Sequence, residues 1–125
     1  MTILPTALLR PALLLTTLAG TLLSAGGALA QVSMANVRAV NLARETAVNL
    51  NGGLSVYRPA ACMFETSNGG GACLVADDDQ GFLFRFPGGG PGWQQEAINP
   101  SLETEIRIAP DGRAVEEILY NGAPR

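Results

Sequence analysis

The chain lacks histidine and lysine altogether, and all eight of its basic residues are arginines. Without histidine it cannot carry a Ser/His or Cys/His catalytic pair or a histidine metal site, and without lysine it cannot form a Schiff base. Charged residues make up only 15% of the chain and the formal net charge is −3, which excludes a basic surface for nucleic acid. We therefore expect no cofactor, no bound metal and no nucleic-acid partner.

The start of the chain has the pattern of a secretory leader. Arg10 supplies a positive charge, residues 12–23 form a leucine-rich apolar core, and residues 24–27 are small. Ala28-Leu29-Ala30 then fits the small-x-small motif of a signal-peptidase site. We predict a signal peptide over residues 1–30 that is cleaved between Ala30 and Gln31.

A retained leader is the alternative, because the uncharged stretch over residues 12–30 is long enough to span a bilayer. The chain would then reach the membrane only through that segment, as an anchored assembly subunit. The stretch ends in small residues and no basic run follows it, which favours cleavage. Cleavage leaves residues 31–125 as a single small domain, exported to the periplasm or the medium, with seven arginines against eleven acids.

Cys62 and Cys73 are the only cysteines, and two thiols in an oxidising compartment usually pair. The ten residues between them have apolar ends and a turn-forming middle at Ser67 and Asn68, a pattern typical of a β-hairpin. In such a hairpin the two cysteines face each other across the strands, so we predict a disulfide between them. The alternative is a redox-active pair, which would favour closer spacing and a neighbouring positive charge.

Apolar periodicity predicts an α+β fold, with one N-terminal helix packed on an antiparallel meander of four or five strands. The helix is predicted over Ser33 to Leu50, with Ser33 as its N-cap and Asn51-Gly52-Gly53 as its end. Its predicted apolar stripe is Val37, Val40, Ala43, Ala47 and Leu50. The predicted strand segments are residues 54–57, 62–65, 72–76, 82–86, 102–108 and 115–121.

Glycine and proline punctuate the connections between these segments. Residues 110–113 predict a turn that places Arg107 opposite Glu116 in a favourable cross-strand pair. Residues 87–92 predict a loop that carries Trp93, the single tryptophan. Residues 77–81 predict a further turn. The alternative is a calcium site, but the acids and the glycine do not match the positions that an EF-type calcium loop requires.

Trp93 is the strongest candidate for a binding residue, because tryptophan is enriched at interaction hot spots. Together with Tyr57 and Arg58 it would form a small recognition patch for an envelope protein or a glycan. The alternative is that Trp93 folds back over the edge of the sheet and serves packing.

A second functional interpretation rests on carboxylates. Asp77, Asp79, Glu103 and Glu105 are the candidates for a polysaccharide-acting enzyme, since paired carboxylates hydrolyse glycosidic bonds. Glu103 and Glu105 point to one face of their predicted strand, beside Arg107, so a salt-bridged outer face is the alternative.

Five short strings carry a resemblance: Asn41-Leu42-Ala43-Arg44, Asn51-Gly52-Gly53-Leu54, Tyr57-Arg58, Tyr120-Asn121-Gly122 and Pro124-Arg125. In these strings the chain resembles a set of short exported bacterial proteins of uncharacterised function. The resemblance implies the same plan of leader, helix and sheet, and it implies no activity and no site residues. The function that we expect is a non-enzymatic binding or structural module of the cell envelope, with the enzyme and the anchored subunit as alternatives.

Overall fold

A computed structural model describes residues 31–125, together with Thr2, Ala19 and Gly20. The predicted leader over residues 1–30, with its cleavage site after Ala30, lies outside the continuously described part. No helix within the described residues is long and apolar enough to cross a membrane.

The predicted α+β class is confirmed over residues 31–125. One helix, α1 (Met34–Leu50), precedes a sheet of five strands: β1 (Arg58–Pro59), β2 (Leu74–Asp78), β3 (Gly81–Gly89), β4 (Leu102–Ile108) and β5 (Val115–Gly122). Every pairing among them is antiparallel. β3 pairs with β4 along one edge and with both β1 and β2 along the other, and β5 lies outside β4.

Helix α1 begins and ends as predicted. The hydroxyl of Ser33 accepts a hydrogen bond from the Asn36 amide at 3.0 Å, and the Asn51 amide closes the last turn onto Ala47 and Val48. The face that packs on the sheet differs slightly from the predicted stripe, because Val37 is half-buried and Leu50 is exposed. The buried positions are Asn36, Ala39, Val40, Ala43 and Ala47. Their small side chains let the helix backbone lie close to the sheet.

The core lies between α1 and the inner face of β3 and β4. Phe82, Phe84 and Phe86 alternate inward along β3, as their period of two predicts, and Ile106 and Ile108 lie opposite them on β4. Each of these side chains is buried. Burying a large apolar side chain contributes about 1.5–3 kcal/mol, so this layer supplies much of the stability of the domain.

The predicted strand over residues 54–57 and the predicted start of a loop at residue 87 are both wrong. Residues 54–57 form a turn rather than a strand, because Gly53 has a positive φ and its carbonyl accepts the amides of Val56 and Tyr57. The first strand is instead Arg58–Pro59. Residues 87–89, predicted as loop, continue β3, because β1 and β4 both pair with that stretch.

The segment between the cysteines is not the predicted hairpin. It forms three short 3-10 helices, Ala61–Phe64, Thr66–Asn68 and Gly71–Cys73. The reason is the Gly69-Gly70-Gly71 run, in which all three glycines have positive φ and bend the chain out of an extended path. The predicted Cys62–Cys73 disulfide is nevertheless confirmed, with 5.8 Å between the two Cα atoms.

The register of β4 and β5 also differs from the prediction. Arg107 lies opposite Glu117 instead of Glu116, and Ile106 lies opposite Ile118. The four residues 110–113 do form the connecting turn, since the Ala109 amide donates to the carbonyl of Ala114 at 2.8 Å and Ile108 lies opposite Val115. The register then shifts by one residue between Arg107 and Ile108, and this irregularity moves Arg107 from Glu116 to Glu117. The shift keeps a charge opposite a charge and an apolar side chain opposite an apolar one.

Candidate functional site

A cleft of about 370 Å³ opens at the edge of the sheet where β1 lies. We call it the Trp93 cleft. Its walls come from β1, from the first 3-10 helix and from the turns that follow Gly90. The lining residues are Arg58, Pro59, Ala61, Phe64, Pro91, Gly92, Trp93, Gln94 and Gln95. Two of the three residues of the candidate patch, Trp93 and Arg58, line this cleft.

Trp93 forms a wall of this cleft and also closes the sheet edge. Its side chain is only 7% exposed, and its indole Nε1 donates to the carbonyl oxygen of Arg58 at 2.9 Å. A Cβ on Gly89 would lie 2.8 Å from Cγ of Trp93, so the glycine makes room for the ring. This placement matches the interpretation of Trp93 as a residue that folds back over the edge of the sheet, and it leaves only a rim of the ring open to a ligand.

Tyr57 lies behind the cleft and does not line it. Its ring is fully buried against Gly88, and its hydroxyl has no hydrogen-bond partner in the described part of the chain. Burial raises the pKa of this phenol above its ordinary value. Of the three residues predicted as a patch, two meet in the cleft, and Tyr57 supports them from the core.

Arg58 is exposed, and its backbone is held in place. Its backbone pairs with Gly89 in the sheet, and its carbonyl is held by Trp93. Its guanidinium makes no hydrogen bond or ion pair with any residue of the described chain. Within the described residues, Arg58 is thus an unpaired cation in the lining of the cleft, on a backbone that the sheet and Trp93 hold.

Phe64 and Gln94 line the cleft and were missed by the sequence prediction. The Phe64 ring is 49% exposed, and the guanidinium carbon of Arg44 lies 5.0 Å from its centroid. The side-chain oxygen of Gln94 accepts the Ala61 amide at 2.8 Å, which joins the turn to the first 3-10 helix. The hairpin interpretation placed Phe64 in a strand, and no local signal in the sequence marks its position beside Trp93.

A second groove of about 450 Å³ adjoins the Trp93 cleft. We call it the Leu54 groove, and it is lined by Arg44, Glu45, Val48, Asn49, Leu54 and Phe64. Phe64 lines both depressions, so a ligand that contacts its ring can reach either of them.

The candidate carboxylates lie elsewhere, on the outer face of the sheet. Glu105 accepts hydrogen bonds from Arg85 at 3.1 Å and from Arg125 at 2.8 Å, and Arg125 also reaches Glu103 at 2.7 Å. The hydrogen bond from Arg85, followed by that from Arg125, lowers the pKa of the Glu105 carboxyl. A glycosidase needs one carboxyl that stays protonated, and these contacts favour the opposite state.

The acidic run that begins at Asp77 does not join those carboxylates. Asp77 and Asp78 belong to β2, and Asp79 lies in the turn to β3, where a side-chain oxygen of Asp78 accepts the Gln80 amide at 2.9 Å. Within residues 31–125, no three His, Cys, Asp or Glu side chains come together in a group that could hold a metal ion.

The chain matches no protein-family model, no curated protein and no solved structure. Its function is therefore inferred from the residues of the cleft.

Proposed function

We propose that this chain is a non-enzymatic binding module of the bacterial cell envelope, and that an envelope protein or glycan binds in the Trp93 cleft. The observation that carries the proposal is the half-exposed ring of Phe64, which lies beside Trp93 in a concave wall. Apolar walls with a few placed polar groups are typical of ligand sites.

The cleft also has the rigidity that a binding site requires. The Cys62–Cys73 disulfide fixes the 3-10 helix that carries Phe64, and the Gln94 side chain joins that helix to the turn after Gly90. The Trp93 indole joins the same turn to β1 through the carbonyl of Arg58. A preformed cleft loses little conformational entropy on binding, which raises its affinity for a partner.

The polysaccharide-acting enzyme is supported less well. Its suspected carboxylates Glu103 and Glu105 are engaged by Arg85 and Arg125 on the opposite side of the sheet from the helix. A Glu103→Gln protein that lost a measurable turnover of polysaccharide would favour the enzyme over the binding module.

Export is part of the proposal, and the disulfide is compatible with it, because disulfides persist in oxidising compartments. We propose that cleavage after Ala30 releases residues 31–125. Intact-mass analysis of native protein should give a chain that begins at Gln31, with neither Cys62 nor Cys73 open to alkylation. A mass that includes Met1, with protein retained on washed membranes, would favour the anchored assembly subunit.

The direct test is affinity capture from the native envelope fraction with three baits: the wild type, Phe64→Ala and Val75→Ala. Val75 is a matched control, since its side chain is 46% exposed on β2 and lines neither depression. We expect one partner to bind the wild type and Val75→Ala and to be lost with Phe64→Ala, while circular dichroism shows all three folded. A partner that binds all three baits equally would contradict the proposal.

A further inference from the structure

We infer that the ligand of the Trp93 cleft is an extended, acidic peptide segment of a partner protein, with its carboxylate on Arg58 and its apolar flank on Phe64. This inference rests on the proposed function and specifies the partner of the same site. It is carried by the charge, the hydrogen-bonding groups and the apolar lining of the two depressions.

The charge of the cleft is opposite to that of the domain. Residues 31–125 carry seven arginines against eleven acids, yet Arg58 is the only charged side chain among the lining residues of the cleft. The carboxylate of Glu96 lies 3.6 Å from the position of a Cβ on Gly92 and is not part of the lining. An anionic group would therefore meet a cation here, on a surface that elsewhere is mainly acidic.

Arg58 also differs from most other arginines of the domain. Arg38, Arg44, Arg85, Arg107 and Arg125 each donate a side-chain hydrogen bond to another residue. Within residues 31–125, only the guanidinium groups of Arg58 and Arg113 make none. Arg113 lies in the turn before β5 and away from the cleft lining. Arg58 is thus the arginine that is both unpartnered and placed in a concave site, where its planar fork suits a carboxylate.

The side chain of Gln94 adds a donor to the cleft. The oxygen of Gln94 is used by the Ala61 amide, and because only an oxygen can accept that hydrogen, the side-chain NH₂ of Gln94 remains as a donor. The lining has no Asp or Glu to accept hydrogen bonds. A carboxylate only accepts hydrogen bonds, so it matches a cation and an amide donor, whereas each sugar hydroxyl both donates and accepts. A lining with one cation and no carboxylate therefore favours an acidic ligand over a neutral glycan.

Two depressions that share a lining residue favour an extended chain. Phe64 lines both the Trp93 cleft and the Leu54 groove, and the groove adds Val48 and Leu54 as apolar lining. A peptide that places its carboxylate near Arg58 can continue past Phe64 into this groove. Proline, aliphatic or aromatic side chains next to the acid would bury apolar surface there, and a peptide supplies such side chains whereas a glycan does not.

The test is selection of random octapeptides displayed on phage against the full chain, expressed in an exporting host. Selected peptides are then titrated against the wild type, Arg58→Gln, Arg113→Gln and Phe64→Ala by fluorescence anisotropy, with Trp93 emission as a second readout. Arg113→Gln is the matched control, because it removes the same charge from another unpartnered side chain.

We expect the selected peptides to be enriched in Asp or Glu beside proline or another apolar residue. Arg58→Gln should weaken their binding about tenfold or more, the loss expected for one charge-assisted hydrogen bond, whereas Arg113→Gln should change it less than about twofold. Raising the salt concentration should weaken binding to the wild type and have little effect on binding to Arg58→Gln.

The inference would be overturned by selected peptides that show no enrichment in Asp or Glu, or that bind the wild type and Arg58→Gln with equal affinity. If such peptides still lose affinity in Phe64→Ala, the proposed binding module stands and only the ligand class is wrong. The same holds if no peptide is selected while an oligogalacturonate changes the Trp93 emission. If neither probe binds, or binding is insensitive to both Arg58→Gln and Phe64→Ala, the inference and the proposed function fail together.

Discussion

The indole N–H of Trp93 donates to the carbonyl oxygen of Arg58 across 2.9 Å. This one bond satisfies an outward carbonyl of the edge strand and sets one wall of the Trp93 cleft. We predict that Trp93→Phe, which keeps an apolar ring but removes the donor, lowers the free energy of unfolding by about 1 kcal/mol. Trp93→Ala should cost more, about 3–5 kcal/mol, because the ring is almost fully buried. Urea denaturation measures both, and an unchanged midpoint for Trp93→Ala would contradict the packed role of the ring.

The Cys62–Cys73 disulfide closes a short loop that carries Phe64. Closing such a loop restricts the unfolded chain, so reduction should lower the free energy of unfolding by about 3 kcal/mol on the chain-entropy estimate. Urea midpoints measured with and without reductant test this. A Cys62→Ser/Cys73→Ser double variant is the control, because its midpoint should be low and indifferent to reductant. A wild-type midpoint that reductant leaves in place would contradict a stabilising role for the disulfide.

The ion pairs of Glu105 make stability depend on pH. Hydrogen bonds from Arg85 and Arg125 lower the pKa of this carboxyl in the folded state below its ordinary value of 4.5. The stabilisation is therefore present above the ordinary value and is lost as the pH falls through the lowered one. We expect the urea midpoint of the wild type to fall below about pH 4.5 more steeply than that of Glu105→Gln.

Glu116→Gln serves as the control for that comparison, since Glu116 is exposed and makes no ion pair in the described part of the chain. It should keep the wild-type dependence on pH. Parallel curves for the wild type and Glu105→Gln would show that the ion pairs on the outer face do not contribute to stability.

Two glycines near the cleft differ in what a methyl group would meet. A Cβ on Gly88 would overlap the buried ring of Tyr57, whereas a Cβ on Gly90 would meet open space. Neither glycine has a positive φ. Gly88→Ala should lower the free energy of unfolding by about 1–3 kcal/mol, and Gly90→Ala should leave it unchanged or raise it by about 0.4–1 kcal/mol. Thermal unfolding of the two variants checks this, and equal melting temperatures would contradict the packing of Tyr57 on β3.

The sequence predicts those parts of the fold that depend on local periodicity. The alternation of Phe82, Phe84 and Phe86 and the N-cap at Ser33 both lie within single elements, and both are confirmed. The prediction of the disulfide rests on the cysteine count and the expected compartment as well as on the hairpin, and the first two do not depend on the conformation between the two residues. It is confirmed although the expected hairpin is absent.

The errors lie where the conformation depends on tertiary contacts or on a choice between turn types. Apolar ends around Gly69-Gly70-Gly71 fit a hairpin and a set of 3-10 helices equally well, and positive φ at all three glycines decides for the helices. The residues that line the cleft could not be grouped from local sequence either. Trp93 and Arg58 are distant in sequence, and nothing local indicates that Phe64 comes to lie beside them.

The central claim is that a partner binds in the Trp93 cleft, and backbone amide chemical shifts recorded while the captured partner is added test it most directly. The account predicts that the perturbed amides cluster at residues 58–64 and 92–95, with the outer-face positions Glu103, Glu105 and Arg107 unchanged. Perturbations centred on those outer-face positions, or absent from residues 58–64 and 92–95, would contradict it.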